Sequence, residues 1–240
     1  MDFKIELDNL IRKIETKDPI CFVRYGDGET MIMNNQAIST NTQAYSIDKW
    51  SSNGGQTKIG VKLKEILKVK EPEWLFGIPC ECCNLSCKNY LISELNVGAE
   101  QITYANMFVN SNYTYFLEWV NKLNEEVIVI ANKNGLNNLD KFPFTVKEYF
   151  PIEDDCVNYY ENNSDVFNAS LKEKFKNVNN TLFFISAGPL SEVIVSELWS
   201  LNKTNRLIDV GSSLDLFIHN KITRPYMEST SYYSQKKCTF

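Results

Sequence analysis

The sequence has little of what marks a secreted, membrane-spanning or nucleic-acid-binding protein. Its 240 residues carry a formal net charge of −5, so no general basic field is present to hold nucleic acid. No apolar run approaches the roughly 18–20 residues of a membrane span. Residues 1–18 mix charges at helical spacing and lack the apolar core of a signal peptide. An anionic ligand would therefore have to be held by local groups or by a metal ion.

Histidine is nearly absent, and the cysteines are odd in number. The seven cysteines are clustered, which argues against a secreted disulfide framework and favours a reducing, cytoplasmic setting. The segment 80-CECCNLSC-87 invites a zinc interpretation, but zinc sites normally draw cysteine pairs from two separated places, and only one cluster is evident. The sole histidine, His219, is far away in the sequence. Buried or incidental thiols are therefore the default interpretation.

The chain does contain an alternation of short apolar runs and amphipathic segments. Hydrophobic residues make up 43% of the chain and charged residues 23%, which is an ordinary globular balance. Apolar runs that end in polar turns predict strands, for example at 20-ICFVRY-25, 126-EVIVIA-131 and 181-TLFFIS-186, with helices between them. The pattern predicts a single α/β domain over 1–240, with a Rossmann-like, mostly parallel sheet flanked by helices. The tail, 228–240, is predicted either to wrap this domain or to be mobile.

Two further stretches carry expectations about the ligand. The polar segment 38–57 is predicted to be a loop, and 101-QITYANMFV-109 a strand. Aromatic residues are dense within 101–109 and just after it, and most of them are expected in the core. One or two of them, together with Asn106 and Asn110, are candidates to stack on a base or a sugar ring. The aromatic residues concerned are Tyr104, Phe108, Tyr113, Tyr115, Phe116 and Trp119.

The first candidate site is 22-FVRYGDGE-29, where a buried strand runs into two glycines and two acids. Asp27 and Glu29 are alternate residues, so on an extended segment their side chains would point to one side and share a ligand. Two carboxylates suit Mg²⁺ or Mn²⁺, which also take phosphate oxygens. Gly26 and Gly28 would allow positive φ and a close approach of phosphate or sugar. Arg24 would pair with a phosphate or orient one of the acids. The alternative is a solvated turn with Arg24 in a structural ion pair.

Two later strand exits complete the predicted crevice, because ligands of such sheets lie beyond the carboxyl ends of the strands. In 185-ISAGPLSE-192, a small-residue turn would present backbone N–H groups and a helix N-terminus to a diphosphate, or would serve packing alone. In 208-IDVGSSLD-215, the two acids are candidates for a metal contact, a ribose contact or a general base, or they cap the turn. The residues expected to contact the ligand are Ser186, Ala187, Gly188, Pro189, Asp209, Gly211, Ser212 and Asp215.

These three motifs together resemble the bacterial GT-D glycosyltransferases, a family long known only as a domain of unknown function. The resemblance rests on R-Y-G-D-G-E at 24–29, A-G-P at 187–189 and I-D-V-G-S-S-L-D at 208–215, and it extends from residue 20 to about 227. It implies a GT-D type enzyme with a UDP-sugar donor, in which Asp27 and Glu29 serve the metal and the diphosphate. In that family the later motif is closer to D-x-G-H-x-D. Ser212 stands here at the histidine position, so another group replaces that histidine or the substrate has changed.

The sequence therefore predicts a metal-dependent glycosyltransferase of the hexosyltransferase type. Sugar would move from a nucleotide-sugar, UDP-sugar in the first instance, to a glycan or glycoconjugate acceptor. Breaking the bond to UDP builds negative charge on the diphosphate, which a Mn²⁺ or Mg²⁺ ion on Asp27 and Glu29 would stabilise together with N–H groups at Gly188. An inverting reaction needs a base, for which Asp215 is preferred over Asp209 and Glu81.

Two other classes of protein stay open from the sequence. The first is a methyltransferase that uses S-adenosylmethionine, because 208-IDVGSS-213 loosely resembles a strand followed by a glycine-containing cofactor loop. A non-catalytic module that binds a sugar or a nucleotide is the other. Nucleic acid and a transmembrane segment are not expected in any of these cases, and an oligomer is possible.

Overall fold

The computed structural model describes residues 1–40 and 50–240, and it confirms the predicted α/β architecture. Its main sheet contains seven strands in the order β5-β4-β1-β9-β8-β6-β7, and every pairing between neighbours is parallel. A separate antiparallel pair is formed by β2 and β3. In chain order the strands are β1 (Ile20–Arg24), β2 (Ala37–Ser39), β3 (Ser51–Asn53), β4 (Trp74–Ile78), β5 (Ile102–Tyr104), β6 (Val127–Asn132), β7 (Val146–Ile152), β8 (Leu182–Ser186) and β9 (Arg206–Asp209).

Helices cover both faces of this sheet. The first begins with a capping residue, Asp2, whose carboxylate accepts hydrogen bonds from the N–H groups of Lys4 and Ile5 at 3.0 Å. In the described part of the chain, no helix combines the length and the apolarity that a membrane crossing needs. The helices are α1 (Phe3–Glu15), α2 (Asp27–Met33), α3 (Lys58–Ile66), α4 (Glu81–Glu94), α5 (Tyr113–Val120), α6 (Cys156–Phe175), α7 (Ser191–Leu201), α8 (Asp215–His219) and α9 (Tyr232–Gln235).

Two apolar cores lie on the two faces of the sheet. Residues of α2, α3, α6 and α7 pack on one face, and residues of α1, α5 and α8 pack on the other. The central strands are accordingly buried along their length, as β1 and β8 show, because a parallel sheet covered on both faces has no side exposed to water. Such strands appear in the sequence as continuous apolar runs, which is why they could be predicted.

The strand order brings three predicted strand exits together. β9 pairs with β1 on one side and with β8 on the other, so the residues that follow these strands meet at one edge of the sheet. After β5 at one edge of the sheet, the chain crosses to β6 near the opposite edge and then returns through β8 to β9 beside β1, so the exits of β1, β8 and β9 lie side by side at the carboxyl edge of the sheet. In open α/β sheets this is the usual position of a ligand-binding crevice.

Some predicted elements have other bounds in the structure. The segment 38–57, predicted as a loop, contributes to β2 and β3, and residues 41–49 of it lie outside the described residues. The predicted strand 101–109 ends at Tyr104, and the apolar residues after it are buried in the core without joining the sheet. A short apolar run cannot by itself distinguish a strand from another buried segment.

The tail packs against the rest of the chain. The carbonyl of Lys236 accepts a hydrogen bond from the N–H of Ser111 at 3.1 Å, and the ring of Phe240 meets that of Tyr104 edge-on with centroids 5.0 Å apart. Cys238 is buried between these two contacts.

A buried ion pair ties together the amino ends of the central strands, opposite the crevice. Arg206, at the start of β9, is 1% exposed and donates from Nη1 and Nη2 to the two carboxylate oxygens of Glu125, at 2.8 and 2.7 Å. Its Nη1 also donates to the carbonyl of Ile14 at 2.8 Å. Two parallel hydrogen bonds between charged groups are among the stronger polar contacts in proteins.

Replacing Glu125 by Gln should destabilise the fold far more than the same change at its neighbour Glu126. Glu125→Gln leaves the buried guanidinium without its counter-charge, and we expect a loss of about 3 kcal/mol in the free energy of unfolding. Glu126 pairs with Lys147 at 3.7 Å on the surface, so Glu126→Gln should cost less than about 1 kcal/mol. Urea unfolding of both variants measures the difference, and equal losses would contradict the assignment.

Candidate active site

A cavity of about 390 Å³ opens where the carboxyl ends of the parallel strands meet. Segments that follow β1, β8 and β9 form one part of its wall, and segments that follow β4, β5, β6 and β7 form the rest. The structure thus brings the three predicted motifs to one place, although their roles in binding stay predictions. The predicted residues that line it are Arg24, Gly26, Asp27, Glu29, Ser186, Ala187, Gly188, Asp209, Gly211, Ser212 and Asp215.

Asp27 and Glu29 begin a helix, so the expectation of an extended segment is wrong. They lie in the first turn of α2, where Glu29 Oε2 accepts a hydrogen bond from the N–H of Gly26 at 2.7 Å and so caps the helix. Residues two apart in a helix point in directions that differ by about 200°. Both acids nevertheless line the cavity, with Asp27 exposed at its mouth and Glu29 half-buried.

Gly28 and Pro189, which were also predicted to contact the ligand, are not among the residues that line the cavity. Both are buried, and neither Gly26 nor Gly28 adopts positive φ. A Cβ atom at Gly28 would stand 2.8 Å from Cη2 of Trp50, so this glycine makes room for an indole ring rather than for a phosphate. Trp50 also lies against Gly188, and it lines the cavity itself. It was missed because its neighbours in the sequence are polar.

Arg24, the last residue of β1, contacts the segments that follow β5 and β9. Its Nε donates to the carbonyl of Ala105, and its guanidinium rests on Gly211, where a Cβ atom would overlap Nη1. Gly211 has φ of 50°, a left-handed conformation that favours glycine. Its N–H donates to Oδ1 of Asp209 at 2.9 Å. The arginine and the acid thus stand on either side of one glycine.

The A-G-P turn forms a tight link between β8 and α7. Gly188 has φ of 53° and is exposed to the cavity. The N–H of Ala187 donates to Oγ of Ser191 at 3.0 Å, so this hydroxyl closes the turn from inside the protein. Ser191 is 1% exposed and is not among the cavity-lining residues, so its hydroxyl serves the turn.

Asp215 lies at the start of α8, held by the segment that follows it. Its Oδ2 accepts a hydrogen bond from Thr223 Oγ1 at 2.7 Å and stands 3.8 Å from Nη1 of Arg224, which also lines the cavity. Ser212, at the position of the expected histidine, shares a hydrogen bond of 2.8 Å with the hydroxyl of Tyr226. The third candidate base, Glu81, pairs with a lysine on α4 and is not among the cavity-lining residues.

Three carboxyl groups, two of them lining the cavity and one buried behind it, have raised pKa values. Burial raises the pKa of Glu29 to about 7, and the nearby charges of Asp209 and Asp27 add to the shift. Burial raises the pKa of Asp209 to about 6, although Arg24 opposes that change. Glu192, in the first turn of α7, is fully buried and neither of its oxygens has a hydrogen-bond partner among the described residues. Burial, followed by repulsion from Glu29 and Asp209, raises its pKa well above the usual range.

The facing wall was not predicted from the sequence. Asn132, at the end of β6, donates to Asp154 at 2.9 Å, and Lys133 donates to Glu153 at 2.6 Å. Asn132, Glu153 and Asp154 all line the cavity. Single acids and amides after a strand are too common in sequences to be singled out.

The aromatic residues predicted to stack on a ligand are elsewhere. Tyr115 is exposed, beneath the ammonium group of Lys4, and the other five aromatic residues are buried in the apolar cores. Asn106 does line the cavity, whereas Asn110 is buried. Among the described residues, the aromatic residues that line the cavity are Trp50 and Tyr25, and the hydroxyl of Tyr25 is turned into the core, where it donates to the carbonyl of Leu63.

Comparison with solved structures places the chain in a known fold. No protein-family model matches the sequence, and no curated protein matches it in sequence. One similar structure is described as the highly conserved domain of unknown function 1792 with a distinct glycosyltransferase fold; it is 17% identical, with a TM-score of 0.58, over 90% of this chain and 81% of that one. Another is described as a new glycosyltransferase of the same domain type from Streptococcus sanguinis; it is 14% identical, with a TM-score of 0.58, over 100% and 93% of the two chains.

A third structure, of a selenomethionine-substituted domain of unknown function 1792, is 15% identical with a TM-score of 0.60, over 98% of this chain and 88% of that one. These likenesses show that the chain has the fold seen in those domains. The predicted fold class is therefore confirmed, and so is the resemblance at the level of the fold.

The buried Glu192 should make stability depend on pH. An unfolded glutamate titrates near pH 4.5, whereas folded Glu192 keeps its proton to a higher pH. The stability that this group contributes is thus fully present below about pH 4.5 and is lost as the pH rises towards the folded pKa. Because Glu192→Gln carries no proton to lose, its free energy of unfolding relative to wild type should rise between about pH 4.5 and pH 8, by at most about 1.4 kcal/mol per pH unit.

Urea unfolding at several pH values measures this effect. Glu94→Gln, at an exposed position near the end of α4, is the control and should follow wild type within about 0.5 kcal/mol at each pH. Parallel curves for wild type and Glu192→Gln would show that Glu192 does not titrate abnormally.

Gly211→Ala should displace Arg24. Gly55 provides a matched control because its φ is 82°, also left-handed, while nothing lies within 4 Å of its Cβ position. Gly55→Ala should cost only the backbone strain, about 1–2 kcal/mol. Gly211→Ala should cost roughly 2–5 kcal/mol, since it adds the overlap with the guanidinium to the same strain. Equal costs in urea unfolding would mean that Arg24 moves away freely.

Proposed function

We propose that this protein is a metal-dependent glycosyltransferase of the hexosyltransferase type, which transfers sugar from a nucleotide-sugar, UDP-sugar in the first instance, to a hydroxyl of a glycan or glycoconjugate. The observation that carries the proposal is the meeting of Asp27, Glu29 and Asp209 with Arg24 in one cavity at the carboxyl ends of β1 and β9. The fold shared with domains described as glycosyltransferases supports the same class of reaction.

The donor set is suited to a hard divalent cation. Mg²⁺ and Mn²⁺ are commonly held by one or two carboxylates together with phosphate oxygens of the substrate. Hydrogen bonds from Gly28 and Gly26 occupy Oδ1 of Asp27 and Oε2 of Glu29, which leaves Oδ2 and Oε1 as the candidate ligand atoms. Within residues 1–40 and 50–240, no three acids have oxygens close enough to hold an ion on their own. The substrate would therefore complete the coordination.

The charge balance of the cavity supports a cationic partner. Glu29, Asp209 and Glu192 repel one another, and Arg24 is the cation that acts on the last two. When bound, a divalent ion would offset the negative charge that develops on the leaving diphosphate. Arg24 itself is engaged by Ala105 and Gly211, so we assign it the orientation of Asp209 rather than the grip on a phosphate.

Asp215 remains the preferred general base. It lines the cavity, and its hydrogen bond from Thr223 fixes the carboxylate in one orientation, which proton transfer to a positioned group requires. Asp209 is the second choice. Its pKa of about 6 would allow it to accept a proton at neutral pH, but it is as buried as Asp215, and Gly211, Ser191 and the backbone of Arg24 all hydrogen-bond to its carboxylate. We no longer consider Glu81 a candidate base, because it is not among the cavity-lining residues.

Two positions bear on the alternatives. A methyltransferase would lay its cofactor against the glycine loop after β9, but here the guanidinium of Arg24 rests on Gly211. Where the family motif has a histidine, Ser212 and Tyr226 form a hydrogen-bonded pair at the cavity. We propose that this pair replaces the histidine in positioning the donor or the acceptor.

Asp27→Asn tests the proposal. Asp27 is exposed at the cavity mouth, so the change should leave the fold intact while it weakens a metal ligand. We expect wild type to bind UDP at least about tenfold more tightly with Mn²⁺ than without it, a gain of about 1.4 kcal/mol that Asp27→Asn should largely lose. Isothermal titration calorimetry with UDP, with and without Mn²⁺, measures both effects, and hydrolysis or transfer from UDP-sugars should fall in parallel.

Asp165→Asn, at an exposed position on α6, is the control and should behave as wild type. Binding of S-adenosylhomocysteine in place of UDP would support the methyltransferase alternative. UDP binding that does not change with Mn²⁺ or with Asp27→Asn would refute the proposed metal site, and metal-dependent binding without any turnover would favour a non-catalytic module.

A further inference from the structure

The cysteine cluster near α4 has a fourth member that the sequence did not reveal. Cys238, near the end of the chain, reaches the start of α4, so that the sulfur atoms of Cys80, Cys82, Cys83 and Cys238 all lie within 4.8 Å of one another. The Sγ atoms of Cys80 and Cys82 are 3.3 Å apart, and those of Cys82 and Cys83 are 3.9 Å apart. All seven cysteines lie in the described part of the chain, and none of them forms a disulfide.

We propose that Cys80, Cys82, Cys83 and Cys238 bind one zinc ion in a structural site. Zinc takes four thiolates in a tetrahedron at about 2.3 Å, which requires sulfur atoms roughly 3.8 Å apart, close to the spacing seen here. The two separated sequence segments that such a site normally needs are present, one at 80–83 and one in the tail. In an iron–sulfur cluster the four thiolates are divided among two or more irons bridged by sulfide, so the four ligand sulfurs cannot all lie this close together.

The groups around the sulfurs suit thiolates rather than thiols. Asn106 Nδ2 lies 3.2 Å from Sγ of Cys83, Asn110 Nδ2 lies 3.3 Å from Sγ of Cys238, and Lys236 Nζ lies 3.2 Å from Sγ of Cys83. Neutral thiols are weak acceptors, whereas metal-bound thiolates commonly receive hydrogen bonds that orient them. A zinc ion with four thiolates has a net charge of −2, which the ammonium group of Lys236 would partly offset.

The burial of the four cysteines also fits a metal that enters from solvent. Cys80 and Cys238 are 1% and 4% exposed, whereas Cys82 and Cys83 are exposed. A purely apolar cluster of thiols would not leave two members in water beside a lysine. The exposed pair provides a path of entry, and the buried pair provides the rigid part of the site.

The site would fasten the tail to the wall of the cavity. Cys83 and Asn106 line that cavity, and helix α4 departs from helical geometry at Asn84, directly after the last cysteine of the 80–83 segment. At the other end, Phe240 packs on Tyr104 and lies under the ammonium group of Lys88, 4.3 Å from the ring centroid. A zinc ion would thus hold together the first turn of α4, the cavity wall and the last residues of the chain.

The test is the metal content of the full chain. Protein supplied with zinc in reducing buffer, then freed of loosely bound metal, should contain roughly one zinc ion per chain. Cys238→Ser should lower zinc affinity at least about 100-fold in a competition with a chelating dye. Cys87→Ser is the matched control, since Cys87 lies on the same helix but contacts Thr30 and Gly26 instead of the cluster, and it should retain full zinc.

A second measurement on the unaltered chain avoids any loss of fold in a variant. Titration with Co²⁺ should give the strong visible absorption of a tetrahedral four-thiolate site, displaced by zinc. Asp27→Asn should retain this signal in full, so failure of the carboxylate site and failure of the cysteine site can be told apart. The proposal would be overturned by a loss of two mass units that marks a disulfide among the four, by iron bound in place of zinc, by a pale octahedral Co²⁺ spectrum, or by full zinc retention in Cys238→Ser.

Discussion

The guanidinium group of Arg24 determines the arrangement of the candidate active site. It joins the end of β1 to the segment after β5 through Ala105, and it fills the space that a side chain at Gly211 would need. Because a guanidinium cannot lose its charge in a protein, acids must stand close to it. Asp209 and Glu192 do so, and each has its pKa lowered by Arg24 against the larger effect of burial. Arg24, predicted either to pair with a phosphate or to orient one of the acids, is thus a structural centre of the cavity.

Buried charged groups are paired at one end of the sheet and crowded together at the other. At the amino ends, Arg206 is matched by Glu125 through two hydrogen bonds, which offset part of the cost of burying its charge. At the carboxyl ends, Glu29, Asp209 and Glu192 are crowded, and Glu192 has no hydrogen-bond partner among the described residues. Such crowding lowers stability, and proteins keep groups of this kind mainly at functional sites. The contrast between the two ends supports a role in binding or catalysis for the second group.

The sequence allowed prediction of the parts of the structure that depend on local pattern. Apolar runs ending in polar turns identified β1, β6, β8 and β9, since strands buried on both faces need uninterrupted apolar residues. The apolar pattern did not predict the helical conformation at Asp27, because it does not show the hydrogen bond from Gly26 to Glu29 that caps this helix. Trp50 escaped notice for another reason. Its role arises from contact with Gly28 and Gly188, which are distant in the sequence, and no local signal marks such a contact.

Cys238 was also missed because its contacts are with residues distant in the sequence, and here the omission hid a possible metal site. Four thiols that look like one cluster of incidental residues become a complete ligand set only when the tail is folded back. The two proposed sites differ in chemistry: carboxylates favour magnesium or manganese, whereas thiolates favour zinc. Two ions of different character can occupy neighbouring sites without competing for the same ligands. Cys83 belongs to both the cysteine cluster and the cavity wall. The proposed zinc site is therefore positioned to influence the shape of the cavity that contains Asp27 and Glu29.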